Sequence, residues 1–254
     1  SLRLFCLGEK IICLASDINN DITTQPTSTT LFQAHLKELS DPVLCDGQSI
    51  RDFPYKNTLS AKRSHTLIDT SGTGYYIAKG SPIKLCRKEQ SSPDQSGNGQ
   101  MNKGNFSTAS IEHGKAPKSA GYEYVIIPNT TKKKLKKIAK TIRSQKLYRV
   151  LQKDSSAHVI EYLPKKRLAY VIFEASKKLP DPIQEIDAKC LIMIQSSNKS
   201  LRLSLANPVL GLKSRQSTSA KVKTISLLLK GSWRKSNHPS VRIQSHTPSE
   251  TKLA

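Results

Sequence analysis

Short apolar runs, rich in β-branched residues and separated by turn residues, recur along the chain and restrict the folds open to it. Runs of this length and composition predict strands rather than helices. The clearest runs are residues 2–7, 11–15, 29–36, 66–69, 75–78, 83–87, 106–112, 122–127, 147–152, 158–162, 168–175, 190–195, 201–206 and 222–230. Many short strands with frequent turns are typical of antiparallel β-sandwiches.

Two kinds of connection separate these runs. Short turns are indicated at Gly8 and at Asp46-Gly47, where glycine tolerates the positive φ that a tight hairpin turn requires. Residues 88–105 instead lose every apolar pattern and are rich in Ser, Gly, Asn and Gln. Their composition predicts one long exposed loop.

One segment carries a helical pattern. Between Lys132 and Lys146 the apolar residues recur at the i, i+3, i+4, i+7 spacing of a single buried stripe: Leu135, Ile138, Ala139 and Ile142. Asn129, Thr130 or Thr131 can supply the N-cap oxygen. We expect a mostly β protein, with an antiparallel β-sandwich domain at residues 1–145, a smaller C-terminal β-sandwich domain at 146–254, and this amphipathic helix between them.

Charge and composition limit the class of protein. The 254 residues include 41 Lys and Arg against 19 Asp and Glu, a net charge of +22, so the sequence predicts an acidic partner: nucleic acid, anionic lipid, or a sulfated or uronic polysaccharide. No apolar run approaches the roughly 20 residues that a membrane span needs. Hydrophobic residues make up 36%, too many for a disordered chain. Five cysteines without a C-x-x-C pair disfavour both a disulfide-stapled miniprotein and a zinc site.

No set of residues with the spacing of a catalytic, metal or cofactor site is found in the sequence. The motifs G-x-S-x-G, H-E-x-x-H and the P-loop are all absent. His158 lies inside an apolar run and is interpreted as a structural histidine. Tyr122 and Tyr124 alternate with Glu123 as in an ordinary strand, so we expect both to be buried anchors.

A run from Gly104 to Val125, GNFSTASIEHGKAPKSAGYEYV, resembles the chondroitin sulfate ABC lyases of polysaccharide lyase family 8. The similarity continues in the same order on both sides of this run. It includes IICLASDINN at 11–20, TTLFQ at 29–33, LIDTSGTGY at 67–75, LYRVLQKD at 147–154, and Trp233. The sequence departs from the family pattern at Ser28, where a Glu is usual, and at Ser110, where a Trp is usual. Fewer residues follow Trp233 than the family's closing strands need.

The resemblance implies a particular enzyme architecture. Family members look like a helical toroid followed by β-sandwich domains, and they depolymerise chondroitin and dermatan sulfate by β-elimination. Their catalytic His, Tyr and Arg lie in the toroid and the assisting Glu in an early β-sheet, all before Ser1 by this similarity. The chain would then hold the later part of the central sandwich and the C-terminal domain. It is expected to be inactive alone, and no catalytic residue is assigned.

The resemblance also implies partners. We expect an acidic polysaccharide (chondroitin or dermatan sulfate, or hyaluronan), the helical toroid of the full-length enzyme, and no metal or cofactor. His113, Lys115 and Lys118 are the candidate substrate contacts, since they are the polar members of the best-matched motif. The alternative is that Pro117 and its neighbours form a structural turn with these charges in water. Location outside the cell or in a periplasm is implied by the family alone.

A different function stays open on the sequence. The chain could be a non-catalytic cationic module that binds sulfated polysaccharide or nucleic acid through the basic face between Lys132 and Arg143. Aromatic residues are only 6% and are not interleaved with basic ones, which argues against nucleic acid. A diverged lyase, an inactive relic and a truncated product are all compatible with the departures from the family pattern.

Overall fold

In the computed structural model, which describes residues 2–95, 97, 99–197, 200–208, 224–234 and 241–253, the chain divides into two compact units. The units are Ser1–Ser144 and Gln145–Ala254. Both are built from antiparallel sheets, so the predicted mostly β class is confirmed.

The first unit contains two sheets and a helix. Its described strands are β1 (Leu2–Leu7), β2 (Lys10–Ile18), β3 (Pro26–His35), β4 (Val43–Cys45), β5 (Gln48–Ile50), β6 (Tyr55–Leu59), β7 (His65–Ile68), β8 (Gly74–Ile77), β9 (Ile83–Pro93), β10 (Met101–Lys115) and β11 (Ala120–Ile127), followed by α1 (Lys132–Arg143). A seven-stranded sheet has the order β1-β2-β11-β8-β7-β4-β5. A four-stranded sheet has the order β3-β10-β9-β6.

One core fills the space between these two sheets. Every second residue of a strand points into this core, because successive side chains point to opposite faces of a sheet. On β2 the inward residues are Cys13 and Ala15, and on β11 they are Tyr122 and Tyr124, each 7% exposed. The four-stranded sheet contributes Phe32, Ile83, Leu85, Ala109 and Ile111. The prediction that both tyrosines are buried anchors is confirmed.

The opposite face of the seven-stranded sheet is also buried. Four residues of β2 and β11 alternate with the core residues, and each is at most 1% exposed: Ile12, Leu14, Val125 and Ile127. The helix α1 packs on this face over β7 and β8. The contact with β8 is close enough that a Cβ at Gly74 would lie 2.4 Å from Cγ2 of Thr130, so this strand position needs glycine.

The helix begins where the sequence predicted and ends three residues earlier than predicted. The hydroxyl of Thr131 accepts a hydrogen bond from the Lys134 amide, as an N-cap residue does. At the other end, the Ser144 amide donates to the Lys140 carbonyl. Leu135, Ala139 and Ile142 form the buried stripe.

The predicted loop at residues 88–105 is wrong. Strands β9 and β10 extend through most of it and pair as a hairpin, with Glu89 opposite Asn105. The Asp94 amide donates to the Gln100 carbonyl where the chain reverses. Pairing of the two main chains is enough to hold the strands, and their side chains there are mostly exposed, so no apolar pattern marks them.

The second unit again contains two sheets. Its described strands are β12 (Tyr148–Lys153), β13 (Ala157–Tyr162), β14 (Arg167–Ile172), β15 (Ile183–Ile186), β16 (Cys190–Ser196), β17 (Leu201–Ala206), β18 (Leu227–Lys230), β19 (Ile243–His246) and β20 (Glu250–Leu253). The sheets are β12-β13-β14-β16-β17 and β15-β18-β20-β19. Residues 222 and 223 of the predicted strand 222–230 lie outside the described residues.

The end of the chain holds strands that the sequence did not indicate. Although few residues follow Trp233, β20 pairs with both β18 and β19 there. The Trp233 amide donates to the hydroxyl of Thr251 on β20, and its indole N–H donates to the Lys230 carbonyl. Two four-residue strands, β19 and β20, therefore extend this sheet after Trp233.

A single buried arginine fixes the long connection between β3 and β6 in the first unit. Arg87 continues the inward positions of Ile83 and Leu85 on β9 and is 0% exposed. Its guanidinium donates to four main-chain carbonyls, those of Leu39 (2.6 Å), Asp41 (2.7 Å), Asp52 (3.0 Å) and Arg51 (3.4 Å). A buried cation is stable only when its donors are satisfied, and here the main chain satisfies them.

Replacing this side chain by an apolar one of similar length should destabilise the first unit. In Arg87→Met, the four carbonyls lose their donor inside the protein, so we expect the free energy of unfolding to fall by about 3 kcal/mol or more. The control is Lys88→Met, the exposed next residue on β9, with an expected change within about 0.5 kcal/mol. Urea titration followed by circular dichroism measures both, and equal effects would show that Arg87 does not hold the connection.

Candidate functional site

The structure places His113 between the two sheets of the first unit, near one end of β10. Its Nε2 lies 2.8 Å from the hydroxyl of Thr29 on β3, and its ring stacks on Tyr122 with centroids 5.9 Å apart. Burial raises the pKa of Tyr122, and the side chain of Thr29 offsets this only in part. These three residues therefore form one small polar group at the edge of the core.

The environment of His113 decides what the ring can do. The side chain is half-buried, and its Nδ1 is buried with no hydrogen-bond partner among the described residues. Burial lowers the pKa of the ring, and the nearby carboxylate of Glu112 offsets this only in part. The ring is thus neutral at neutral pH, so it can offer a hydrogen bond to a sugar but not a positive charge.

Lys115 is the last residue of β10, and Lys118 lies three residues further along, on an exposed turn. Lys118 forms an ion pair with Asp21, and both side chains are largely exposed. The turn is tied to the loop before β3 by hydrogen bonds from the Asn20 amide to the Pro117 carbonyl and from the Ser119 amide to the Asn19 side chain. The turn is therefore built into the fold, and its two lysines face water.

A groove of about 900 Å³ lies at the other end of β3. It combines cationic and polar side chains, which are Gln33, His35, Lys37, Ser49 and Arg51, with Asp41 and Asp69. On β3, Thr29 is three residues from Phe32 and six from His35, which both line the groove, so the groove begins about 10 Å from the His113 group. The sequence did not indicate it, because four separate segments supply its lining and only the fold brings them together.

Asp46 and His65 have the residue types of an acid–base pair, but both are fully engaged. His65 is 2% exposed, its Nδ1 lies 2.8 Å from the Asp46 carboxylate, and its Nε2 lies 2.9 Å from the Ser60 carbonyl. Although burial tends to raise the pKa of Asp46, hydrogen bonds from Thr66 and His65 and the charge of Arg63 lower it overall. Since neither ring nitrogen is free, this pair ties the β4–β5 turn to β7 rather than moving protons.

Three of the cysteines and three of the tyrosines are buried, which makes them poor nucleophiles and bases: Cys13, Cys45, Cys190, Tyr75, Tyr124 and Tyr170. Burial raises the pKa of Cys13 and of Cys45 to about 11 and that of Cys190 to about 12, so none is a thiolate at neutral pH. Burial likewise raises the pKa of Tyr75, Tyr124 and Tyr170. No three His, Cys, Asp or Glu side chains cluster as metal ligands in the part of the chain that the structure describes.

The most concentrated charge on the first unit is carried by α1. Seven of its twelve residues are cationic, and all seven are exposed; we call this set the basic helix face: Lys132, Lys133, Lys134, Lys136, Lys137, Lys140 and Arg143. No described helix is both long enough and apolar enough to cross a membrane.

Comparison with known families identifies the class of this fold. Residues 3–139, which include both sheets of the first unit, match the super-sandwich domain of polysaccharide lyase family 8. Since that match covers more than half of the chain, the chain belongs to polysaccharide lyase family 8.

Curated relatives agree with this assignment. The chain is 29% identical to a chondroitin sulfate ABC endolyase of Proteus vulgaris over 231 residues, which are 91% of this chain and 22% of that protein. It is 35% identical to a chondroitin sulfate ABC exolyase of Bacteroides thetaiotaomicron over 209 residues, 80% of this chain and 18% of that protein. The chain thus spans about a fifth of the length of these relatives.

Solved structures share the fold over nearly the whole chain. A xanthan lyase of Paenibacillus superposes with a TM-score of 0.75 at 18% identity, covering 98% of this chain and 24% of that one. A chondroitinase AC lyase superposes with a TM-score of 0.70 at 21% identity, covering 89% of this chain and 31% of that one. At these identities the likeness shows the fold.

The buried environment of His113 predicts a pH-dependent stability. The unfolded ring has the ordinary pKa of about 6.5, whereas the folded ring has a lower one, so acid protonates the unfolded state first. The contribution of His113 is therefore complete above pH 6.5 and is lost as the pH falls through the lowered folded pKa. As the pH is lowered from 7.5 to 5.5, the melting temperature of the His113→Gln variant should fall less than that of the wild type.

A thermal scan at several pH values measures this difference. Lys115→Gln, a surface change near the same end of β10, is the matched control and should keep the wild-type pH dependence. Identical pH profiles for His113→Gln and the wild type would mean that the ring is not buried in its neutral form.

Proposed function

We propose that this chain is the later β-sandwich part of a glycosaminoglycan lyase that depolymerises chondroitin or dermatan sulfate by β-elimination. The observation that carries the proposal is the match of residues 3–139 to the family's super-sandwich domain, with similarity to chondroitin sulfate ABC lyases over 80–91% of the chain. In this proposal the chain supplies scaffold and polysaccharide contacts, and a helical toroid supplies the catalytic groups.

The chemistry of the reaction supports this division of roles. β-Elimination requires a group that neutralises the uronate carboxylate, a base that removes the C5 proton, and an acid that protonates the leaving oxygen. Among the described residues, His65 has both nitrogens engaged, and the tyrosines and cysteines with raised pKa values are buried. The proposal follows the family resemblance in assigning these three roles to the toroid and none to this chain.

The charge of the chain supports an acidic substrate. With a net charge of +22, the chain attracts a polymer that carries both sulfate and carboxylate more strongly than it attracts hyaluronan, which carries carboxylate alone. Lys115 and Lys118 are exposed, and their position on a turn held by main-chain hydrogen bonds suits contact with a sulfate or carboxylate. His113 would add a neutral hydrogen bond. We infer from the family resemblance that the proposed enzyme acts outside the cell or in a periplasm.

The test is an absorbance assay for the unsaturated uronate that β-elimination produces from chondroitin sulfate. This chain alone is compared with the longest product of the same gene. We expect activity in the long product and none in this chain. An uncharged glucan is the substrate control, because it has no uronate to eliminate and should give no signal with either protein.

Two results would contradict the proposal. Activity of this chain alone would place a catalytic set within it. Inactivity of a long product that contains a folded toroid would exclude the lyase function and favour a non-catalytic cationic module instead.

A further inference from the structure

The structure assigns a second role to α1: we propose that the basic helix face binds sulfated glycosaminoglycan. The choice of this polymer rests on the proposed function, whereas the presence of a polyanion-binding surface rests on the helix itself. The proposal concerns binding only and requires no cleavage.

The orientation of α1 is fixed by packing. Leu135, Ala139 and Ile142 are buried against the seven-stranded sheet, and the helix start lies against Gly74 of β8. Because that stripe faces inward, the basic helix face points outward along the whole helix. The surface is therefore preformed, so binding would not require the helix to be ordered first.

The charge on this face is almost uncompensated. The helix contains no acidic residue, and in the described chain the one ion pair to it joins Lys134 to Glu9 at 3.3 Å, between exposed side chains. Such surface pairs contribute little. Three lysines in the first turn also oppose the helix dipole. Stability of the fold does not explain this concentration of charge, but attraction of a polyanion does.

The arrangement suits a linear polymer. Lys132, Lys136, Lys140 and Arg143 follow one side of the helix, and at a rise of 1.5 Å per residue they form a row about 17 Å long. Lys133 and Lys137 flank this row. A regular row of point charges can follow a chain that repeats its anionic groups, without a pocket for any single one.

The residue types favour sulfated polysaccharide over nucleic acid. No aromatic residue lies on α1, so there is no ring on which a base could stack. Six of the seven cations are lysine, which acts as a point charge, whereas arginine is the residue of choice for bidentate recognition of phosphate. Duplex DNA can bind a protein through its phosphates alone, without base stacking, so it is the competing polymer in the test.

The experiment measures binding of fluorescein-labelled chondroitin sulfate to the full chain by anisotropy at several salt concentrations. The test variant is Lys133→Gln/Lys136→Gln/Lys137→Gln/Lys140→Gln, since Gln has a helix propensity close to that of Lys. The control, Lys56→Gln/Lys62→Gln/Lys79→Gln/Lys88→Gln, removes the same charge from exposed lysines elsewhere on the unit. Circular dichroism and thermal melting verify that both variants fold like the wild type.

We expect the α1 variant to bind chondroitin sulfate about tenfold more weakly or worse, with a shallower salt dependence. The control should change affinity much less, and unsulfated chondroitin should bind the wild type more weakly. Equal losses in the two variants, or no binding by the wild type, would overturn the proposal. Tighter binding of duplex DNA than of chondroitin sulfate at the same salt concentration would overturn the choice of polymer. Since the assay involves no cleavage, each result is independent of whether the long product is a lyase.

Discussion

Burial of both faces of the seven-stranded sheet is the constraint on which the rest of the first unit depends. On β2, residues 12–15 are each at most 1% exposed, so consecutive side chains on opposite faces are equally buried. One face needs a second sheet, and the four-stranded sheet covers it. The other face needs a cover over β7 and β8, and the apolar stripe of α1 supplies it. An antiparallel sheet with one solvent-exposed face would not have required the helix.

This constraint also sets where the charges lie. With both faces of the sheet occupied by apolar side chains, the described basic residues of the first unit lie almost entirely on its surface. Among the described Lys and Arg residues, Arg87 is the buried one, and main-chain carbonyls satisfy its guanidinium. On α1 the same constraint acts through the helix period, because residues off the apolar stripe point away from the sheet. The outward direction of the basic helix face is therefore a consequence of the packing that holds the helix.

The sequence predicted the longer elements whose apolar residues face the core, and it missed short strands and strands with mostly exposed side chains. The helix and most of the strands were visible because burial imposes a period on their apolar residues. Residues 88–105 were predicted to be a loop because their strands carry mostly exposed polar side chains and so show no apolar period. The strand β15 was missed because it is only four residues long and follows the pair Pro180 and Pro182.

The candidate site was predictable only in part. The motif around His113 was visible as a resemblance, but its contact with Thr29 joins residues 84 positions apart and needed the fold. The basic helix face was visible in the sequence, since the apolar stripe defines the opposite side. Arg87 was not predicted, because a single arginine at the end of an apolar strand gives no sign of the carbonyls that it meets.

Hydrogen exchange of the α1 amides, followed by mass spectrometry of the full chain, tests the central claim that packing on the sheet holds the helix and directs its charges outward. An isolated helix of this length is marginal in water, so protection must come from the sheet. The account predicts that the amides of residues 135–143 exchange about as slowly as those of β7 and β8. Exchange of these amides as fast as in an unstructured peptide, while the strands stay protected, would contradict it.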